Sequence, residues 1–254
     1  MSYLPLSHSA AQVADIWVPM SVGATVVFAD SNALKGTLIQ TLKEVRPTFI
    51  IAVPRVFEKI METMQDVGKS SPAMKKMIAT WAKKTGLEEN LKKLEAEMVE
   101  SNISSTLSYT LAKKIVFDKV KSSLGLDRIR AIGIGAAPIS RQCLEYFLSL
   151  DIHLHNCYGL SETCGPHIAN RPGLNNIGTV GVPMYGMKAK LIDQDENGEG
   201  EIIMTSRNVM MGYLFNPEKT LEVIDNEGWI HSGDLGSEQN GWYKITGKQK
   251  MNTK

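Results

Sequence analysis

Short β-branched runs alternate along this chain with segments of helical spacing, and that alternation restricts it to a small set of folds. Ala24-Thr25-Val26-Val27-Phe28, Phe49 to Val53, Ala131-Ile132-Gly133-Ile134 and Ile152 to Asn156 predict buried strands. Thr37 to Arg46, stopped by Pro47, then Val56 to Val67 and Arg141 to Ser149 predict helices between them. The pattern predicts an α/β fold with a mostly parallel sheet and helices on both faces, because parallel strands need a crossover to return. Ligands of such sheets sit beyond the carboxyl ends of the strands. Gly135-Ala136-Ala137 and Tyr158-Gly159 both fall just after strands, which makes them candidate site residues. A chain of 254 residues, 43% hydrophobic, buries a sizeable core and fits one large domain or two small ones.

Two segments break the alternation. Residues 69–123 predict a lysine-rich helical insertion. Within it Met74, Met77, Ile78 and Trp81 share a helix face, flanked by Lys75, Lys76, Lys83 and Lys84. The stripe predicts a helix packed by its apolar face with solvated lysines; the competing reading is contact with an anionic membrane surface. From about Arg171 turns become frequent, as in Asp195-Glu196-Asn197-Gly198, Asp225-Asn226-Glu227-Gly228 and Gln239-Asn240-Gly241. They predict a small antiparallel β subdomain over 171–247, following an α/β part over 1–170.

A net charge of +1 gives no case for nucleic acid as a partner. Cys143, Cys157 and Cys164 are scattered, which suits a reducing compartment. The start, Met1-Ser2-Tyr3-Leu4-Pro5, does not read as a signal peptide, and no run reaches the roughly 20 apolar residues of a spanning helix. Asn102-Ile103-Ser104 spells a glycosylation sequon and carries no weight without a secretory signal.

Residues 156–163 read Asn-Cys-Tyr-Gly-Leu-Ser-Glu-Thr, a strand predicted to turn at Gly159 into a hydroxyl, a carboxylate and a second hydroxyl. Such a turn offers Ser161 and Thr163 to phosphate oxygens and Glu162 to magnesium, since hard cations prefer oxygen ligands. The ring of Tyr158 suits stacking on a base. Taken alone, Ser161-Glu162 also reads as a helix cap with a first-turn acid, and Tyr158 as a core tyrosine. His153, His155 and Cys157 share a strand face near Cys164 and His167, a conceivable zinc set, but the spacing lacks paired ligands.

The octapeptide resembles the Tyr-Gly-x-Thr/Ser-Glu motif of the adenylate-forming enzymes. Further matches follow in the family's order: Leu4-Pro5-Leu6-Ser7-His8, Gly135-Ala136-Ala137-Pro138, Gly200-Glu201-Ile202, Gly212-Tyr213 with Asn216-Pro217-Glu218-Lys219-Thr220, Gly228-Trp229-Ile230-His231-Ser232-Gly233-Asp234 and Tyr243-Lys244-Ile245-Thr246-Gly247. Thr48 to Ile60 is similar to long-chain fatty acyl-CoA synthetases, and Tyr158 to His167 looks most like their bubblegum subfamily. The resemblance implies part of the large N-terminal domain of such an enzyme. It also implies the reaction, in which a long-chain or very-long-chain fatty acid attacks ATP to give acyl-AMP and pyrophosphate, and CoA then displaces AMP. Catalysis of that kind is largely positioning and charge neutralisation.

By the same resemblance, Gly135, Ala136 and Ala137 line the adenine, and Tyr158 and Gly159 form its other wall. Ser161 touches the α-phosphate and Glu162 holds magnesium. Asp234 accepts from the ribose hydroxyls, and His8 lies near the acyl carboxylate and the CoA path. Lys248 stands where the family has a ribose-binding arginine, and lysine lacks the guanidinium fork. Trp17, Phe28 and Met184 read as core rather than acyl tunnel.

The family's phosphate loop lies upstream of the Leu4 motif, and its C-terminal domain, with a catalytic lysine, follows the hinge near Lys248. The expectation is therefore a chain truncated at both ends, with residues 248–254 a divergent tail and a sheet edge or apolar face left exposed. The family implies a cytoplasmic protein with peripheral contact at the endoplasmic reticulum. A non-catalytic nucleotide- or acyl-adenylate-binding module, or an interaction protein, is the alternative to a ligase.

Overall fold

The computed structural model describes residues 1–101 and 103–248. Asn102 of the sequon and 249–254 of the tail lie outside the described residues. The first layer contains the strands β1 (Phe49–Ala52), β2 (Ala131–Ile134), β3 (Leu154–Leu160), β4 (Gly165–Ala169) and β5 (Val182–Pro183). The second contains β6 (Lys188–Ile192), β7 (Gly200–Thr205), β8 (Ile230–Gln239) and β9 (Trp242–Lys248). The helices are α1 (Ser9–Gln12), α2 (Val18–Val22), α3 (Leu38–Val45), α4 (Pro54–Lys69), α5 (Ala73–Met98), α6 (Leu107–Ala112), α7 (Asp118–Leu124), α8 (Arg141–Leu148) and α9 (Pro217–Val223). Five-residue π-helical stretches join α1 to α2 and α6 to α7.

Each sheet keeps chain order, β1-β2-β3-β4-β5 and β6-β7-β8-β9. Pairing is parallel from β1 to β3 and antiparallel from β3 to β5, so the first sheet is mixed rather than mostly parallel. β3 makes the switch: Leu154 to Asn156 pair with β2, and Cys157 to Leu160 pair with β4. β5 still belongs to the first sheet, so the all-antiparallel sheet begins at Lys188, later than the change of texture at Arg171.

The core forms where α3, α4 and α8 cover β1 to β3. Phe57 of α4 meets Phe147 of α8 edge to face at 5.0 Å, and Leu42, Ile132 and Ile134 are buried beside them. Burial alternates along β1 and β2, so their two faces are unequally covered. Ile50, Ala52, Ile132 and Ile134 are buried, while Ile51, Ala131 and Gly133 are half-buried and Phe49 is exposed. The second face of β1 and β2 is therefore less covered than the first.

Ala24 to Phe28 is also not a buried strand. Its only described pairing is a single parallel bridge from Phe28 to Ser2, so no ladder forms, and Phe28 is 64% exposed. Trp17, at 60% exposed, is likewise not core. The helical insertion is present but packs by another face. Ala82, Gly86, Asn90 and Leu94 of α5 are buried, whereas Met74 and Met77 are exposed. Asn90 donates to the Leu148 carbonyl at 2.8 Å, and Tyr109 donates to Asp151 at 2.7 Å, tying the insertion to the end of α8.

Candidate functional site

The sequence-selected residues gather beyond the carboxyl ends of β2 and β3 and at the junction of the two sheets. Ala136 takes φ +70 immediately after β2, a left-handed turn that is costly for a residue with a Cβ. Before it, Gly135 lies against β3, where a Cβ would come 2.9 Å from Cys157 Sγ. Burial pushes the Cys157 thiol up to about 11, so it acts as a packing group rather than a nucleophile.

Tyr158 leaves the parallel part of β3, and its hydroxyl donates to Asp234 Oδ2 of β8 at 2.7 Å. Burial raises the pKa of this phenol, which keeps it a neutral donor. Gly159 is not a turn; it stays in the strand beside a bulge. Glycine is required there because a Cβ would stand 1.9 Å from the Gly165 carbonyl oxygen.

The turn comes at Ser161–Thr163, a single 3-10 turn closed by Cys164 at φ +56. Thr163 is fully buried; its hydroxyl accepts from the Leu160 amide at 2.9 Å and lies 3.0 Å from the Gly165 carbonyl. This fixes the turn, so Thr163 is structural rather than a free phosphate ligand. Ser161 is exposed and Glu162 half-buried. Residues 207–213 hold the turn from the other side. The Met210 amide donates to the Glu162 carbonyl at 2.8 Å, Asn208 donates to the Thr163 carbonyl at 2.7 Å, and the Tyr213 hydroxyl donates to Glu162 Oε1 at 2.7 Å.

Asp234 owes its position to a bulge. His231 pairs with Ile203 and Leu235 with Glu201, so Ser232, Gly233 and Asp234 together face Ile202. Buried Glu201 accepts from the Gly233 amide at 2.9 Å and lies 3.0 Å from His231 Nδ1, while Ser232 donates to the Ile202 carbonyl at 2.6 Å. Asp234 is 7% exposed, and Lys248 Nζ stands 3.8 Å from its Oδ1. A carboxylate with one strong donor keeps acceptor capacity for two hydroxyls.

His8 caps α1, its Nδ1 accepting from the Ala10 amide at 3.2 Å. The next residue, Ser9, brings its hydroxyl 3.4 Å from that of Ser161, so the Leu-Pro-x-x-His segment does reach the turn. Sequence reasoning missed Tyr213, Asn208 and Glu201 as site builders. The signal for Tyr213 was its neighbourhood: Thr220 Oγ1 accepts from the Tyr213 amide at 2.9 Å, and a Cβ on Gly212 would meet Thr220 at 2.7 Å. The Gly-Tyr and Pro-Glu-x-Thr elements thus form one clamp.

No group of three or more His, Cys, Asp or Glu side chains able to hold a metal occurs among the described residues. Of the conceivable zinc set, His153 lies 3.6 Å from Asp151, His155 is directed to the Ile132 carbonyl, Cys157 to that of Ile134 and His167 to that of Lys188. A separate cavity of about 210 Å³, lined by Lys121, Arg130, Asp151, His153 and Asn175, lies toward the amino ends of β2 and β3, away from Glu162 and Asp234.

A sequence profile describing AMP-binding enzymes matches residues 1–214. The chain is 47% identical over 98% of its length to the long-chain-fatty-acid–CoA ligase ACSBG2 of Xenopus laevis, and 42% identical over 98% to ACSBG1 of Mus musculus. It spans 33% and 34% of those relatives, about a third of their length. Among solved structures, it superposes on a malonyl-CoA ligase bound to methylmalonyl-CoA and AMP with TM-score 0.66 and 20% identity, covering 98% of this chain and 44% of that one. O-succinylbenzoate coenzyme A synthetase of Bacillus subtilis, in complex with ATP and magnesium, gives TM-score 0.62 at 20% identity, covering 97% and 42%. These likenesses establish the adenylate-forming fold, and with the profile match over residues 1–214 they place the chain in the AMP-binding enzyme family.

Proposed function

We propose that this chain carries the adenine, ribose and magnesium side of the site of a long-chain fatty-acid–CoA ligase. The single observation that carries the proposal is the 2.7 Å hydrogen bond from Tyr158 to Asp234. It joins a flat ring on β3, the strand beside the one that ends at Gly135-Ala136-Ala137, to a carboxylate in the other sheet. A ring and a carboxylate held side by side suit a planar base and its adjacent diol. The relatives, named as long-chain-fatty-acid–CoA ligases, supply the substrate class, and ATP and CoA follow as co-substrates.

In this reading Tyr158 and Gly159 wall the adenine opposite residues 135–137, Asp234 accepts from the ribose hydroxyls and Lys248 adds positive charge beside it. Ser161 faces the α-phosphate and His8 the acyl carboxylate. Glu162 fits a magnesium ligand: its Oε1 is held by Tyr213, and no hydrogen bond occupies its Oε2 among the described residues. Bound there, magnesium would neutralise phosphate charge as the carboxylate attacks. A cytoplasmic protein with peripheral membrane contact belongs to the same proposal, as does a division into an α/β part at 1–170 and a β-rich part at 171–247.

The test is calorimetric binding of a non-hydrolysable long-chain acyl-AMP analogue to this chain and to Asp234→Ala. Saturable binding, weakened by roughly 1–3 kcal/mol in the variant, is the expected result for a lost charged hydrogen bond. Binding without turnover would identify a non-catalytic adenylate-binding module. A folded chain that binds no analogue would overturn the adenylate role.

A further inference from the structure

The corner between α4 and α5 stands away from the body of the protein. Residues 66–70 and 72–77 are all exposed, on every face of the two helix ends. Val67 is 63% exposed, Met74 71%, Met77 69% and Trp81 36%. These are not residues waiting for the rest of α5, because α5 is already anchored by a different stripe. Gly86 packs so closely on the Ser149 carbonyl that a Cβ would stand 2.2 Å from its oxygen, and Asn90 is bonded to Leu148. Met74, Met77 and Trp81 line another side of the helix by their i, i+3, i+7 spacing.

The charge around this stripe is one-signed. Between Asp66 and Glu88 there is no acidic residue, but there are Lys69, Lys75, Lys76, Lys83 and Lys84. Lys69 pairs with Asp66, and Lys83 lies over the Tyr146 ring. Lys75, Lys76 and Lys84 have no ion pair among the described residues. The whole chain has a net charge of only +1, so this is a local concentration rather than a general bias.

From this geometry we infer that the α4–α5 corner docks on an anionic phospholipid bilayer. Met74, Met77 and the edge of Trp81 enter the boundary between headgroups and acyl chains, Lys84 beside them meets the headgroup charges, and Lys75 and Lys76 reach the same charges from the flanks of the exposed helix end. A convex corner with apolar tips and long cationic side chains matches a flat anionic surface, since lysine stems lie along apolar surface while their ends reach the charge. Trp at the boundary has one apolar and one polar requirement, both met there. No described helix is long and apolar enough to cross a membrane, so the contact is peripheral. The inference deepens the membrane part of the proposed function and stands independently of the nucleotide site.

The probe is cosedimentation of the 254-residue chain with extruded vesicles. One set is phosphatidylcholine alone and the other contains about 30% phosphatidylserine. The expected result is partition onto the anionic vesicles only, lost progressively as salt rises from about 0.1 to about 0.5 M. Met74→Ser with Met77→Ser, and separately Lys75→Glu with Lys76→Glu, should each lower the partition coefficient by about tenfold or more. Lys43→Glu on α3 should leave it unchanged. All five substituted positions are exposed, and circular dichroism checks that the variants stay folded. Equal binding by the variants, or none by the native chain, overturns the inference. So does self-association that Met74→Ser with Met77→Ser abolishes in a chain that ignores vesicles, because a second copy then covers the corner. Acyl-AMP analogue binding by the same variants separates this outcome from failure of the ligase reading.

Discussion

Tyr213 places its hydroxyl 2.7 Å from Oε1 of Glu162, across 51 residues of sequence, and so links the loop after β7 to the turn after β3. The hydrogen bond to the carboxylate holds the phenol proton up to about 12. Tyr213→Phe removes one donor from a half-buried acid, at a cost of about 0.5–1.5 kcal/mol in the order of that turn. Magnesium-dependent ATP binding should weaken roughly 2–10-fold, with magnesium-free nucleotide binding little changed. Calorimetry at varied magnesium checks the split; equal losses with and without the metal would count against a positioning role.

Tyr158→Phe should act differently. Asp234 is nearly buried, so loss of its hydroxyl donor leaves a carboxylate short of a partner. About 1.5–3 kcal/mol of stability should go, together with nucleotide affinity, because the charged partner left to Asp234 among the described residues is Lys248, 3.8 Å away and exposed. Urea unfolding at neutral pH measures the first effect and analogue binding the second. Lys248→Ala should change stability little, since its side chain is 87% exposed.

Gly159 separates packing from chemistry. Gly159→Ala drives a Cβ into the Gly165 carbonyl, and both strands are fixed by β3–β4 pairing. A loss of a few kcal/mol is expected, or a shift of the bulge that displaces the Ser161–Thr163 turn. Gly247→Ala, with open space around it, is the matched control and should be near neutral. Thermal melts of the pair test the contrast.

These positions mark what the sequence made legible. Contiguous motifs were readable because a strand followed by small residues, or by Ser-Glu-Thr, predicts a local geometry. The runs at Phe49, Ala131 and Leu154 became strands, and the helices between them formed with Arg46 in a left-handed cap before Pro47. Ala24 to Phe28 misled because an apolar β-branched run specifies a strand only when a neighbour supplies a ladder, and its described partner is one bridge. Gly159 misleads because a glycine after a strand suggests a turn, whereas here it serves close approach. The methionine stripe of α5 misled because periodicity shows that residues share a face, not that the face is covered. Bonds such as Tyr213 to Glu162, or Glu201 to Gly233, join distant segments and leave no local pattern to read.

His155 supplies a pH dependence. It is buried on β3, and that burial, with His153 nearby, pushes its pKa from 6.5 down to about 4. The unfolded chain takes up a proton on this imidazole below about pH 6.5, whereas the folded chain refuses it until about pH 4. Folding therefore loses stability as pH falls through that window, and the contribution is fully present above it. A displacement of this size corresponds to on the order of 3 kcal/mol across the window. Urea midpoints measured at several pH values should drop steeply toward acid in the native chain. In His155→Gln, which keeps a polar atom near the Ile132 carbonyl but cannot titrate, that part of the slope should vanish. An unchanged slope in the variant would assign the acid sensitivity to other groups, of which buried His167, also lowered by desolvation, is the next to substitute.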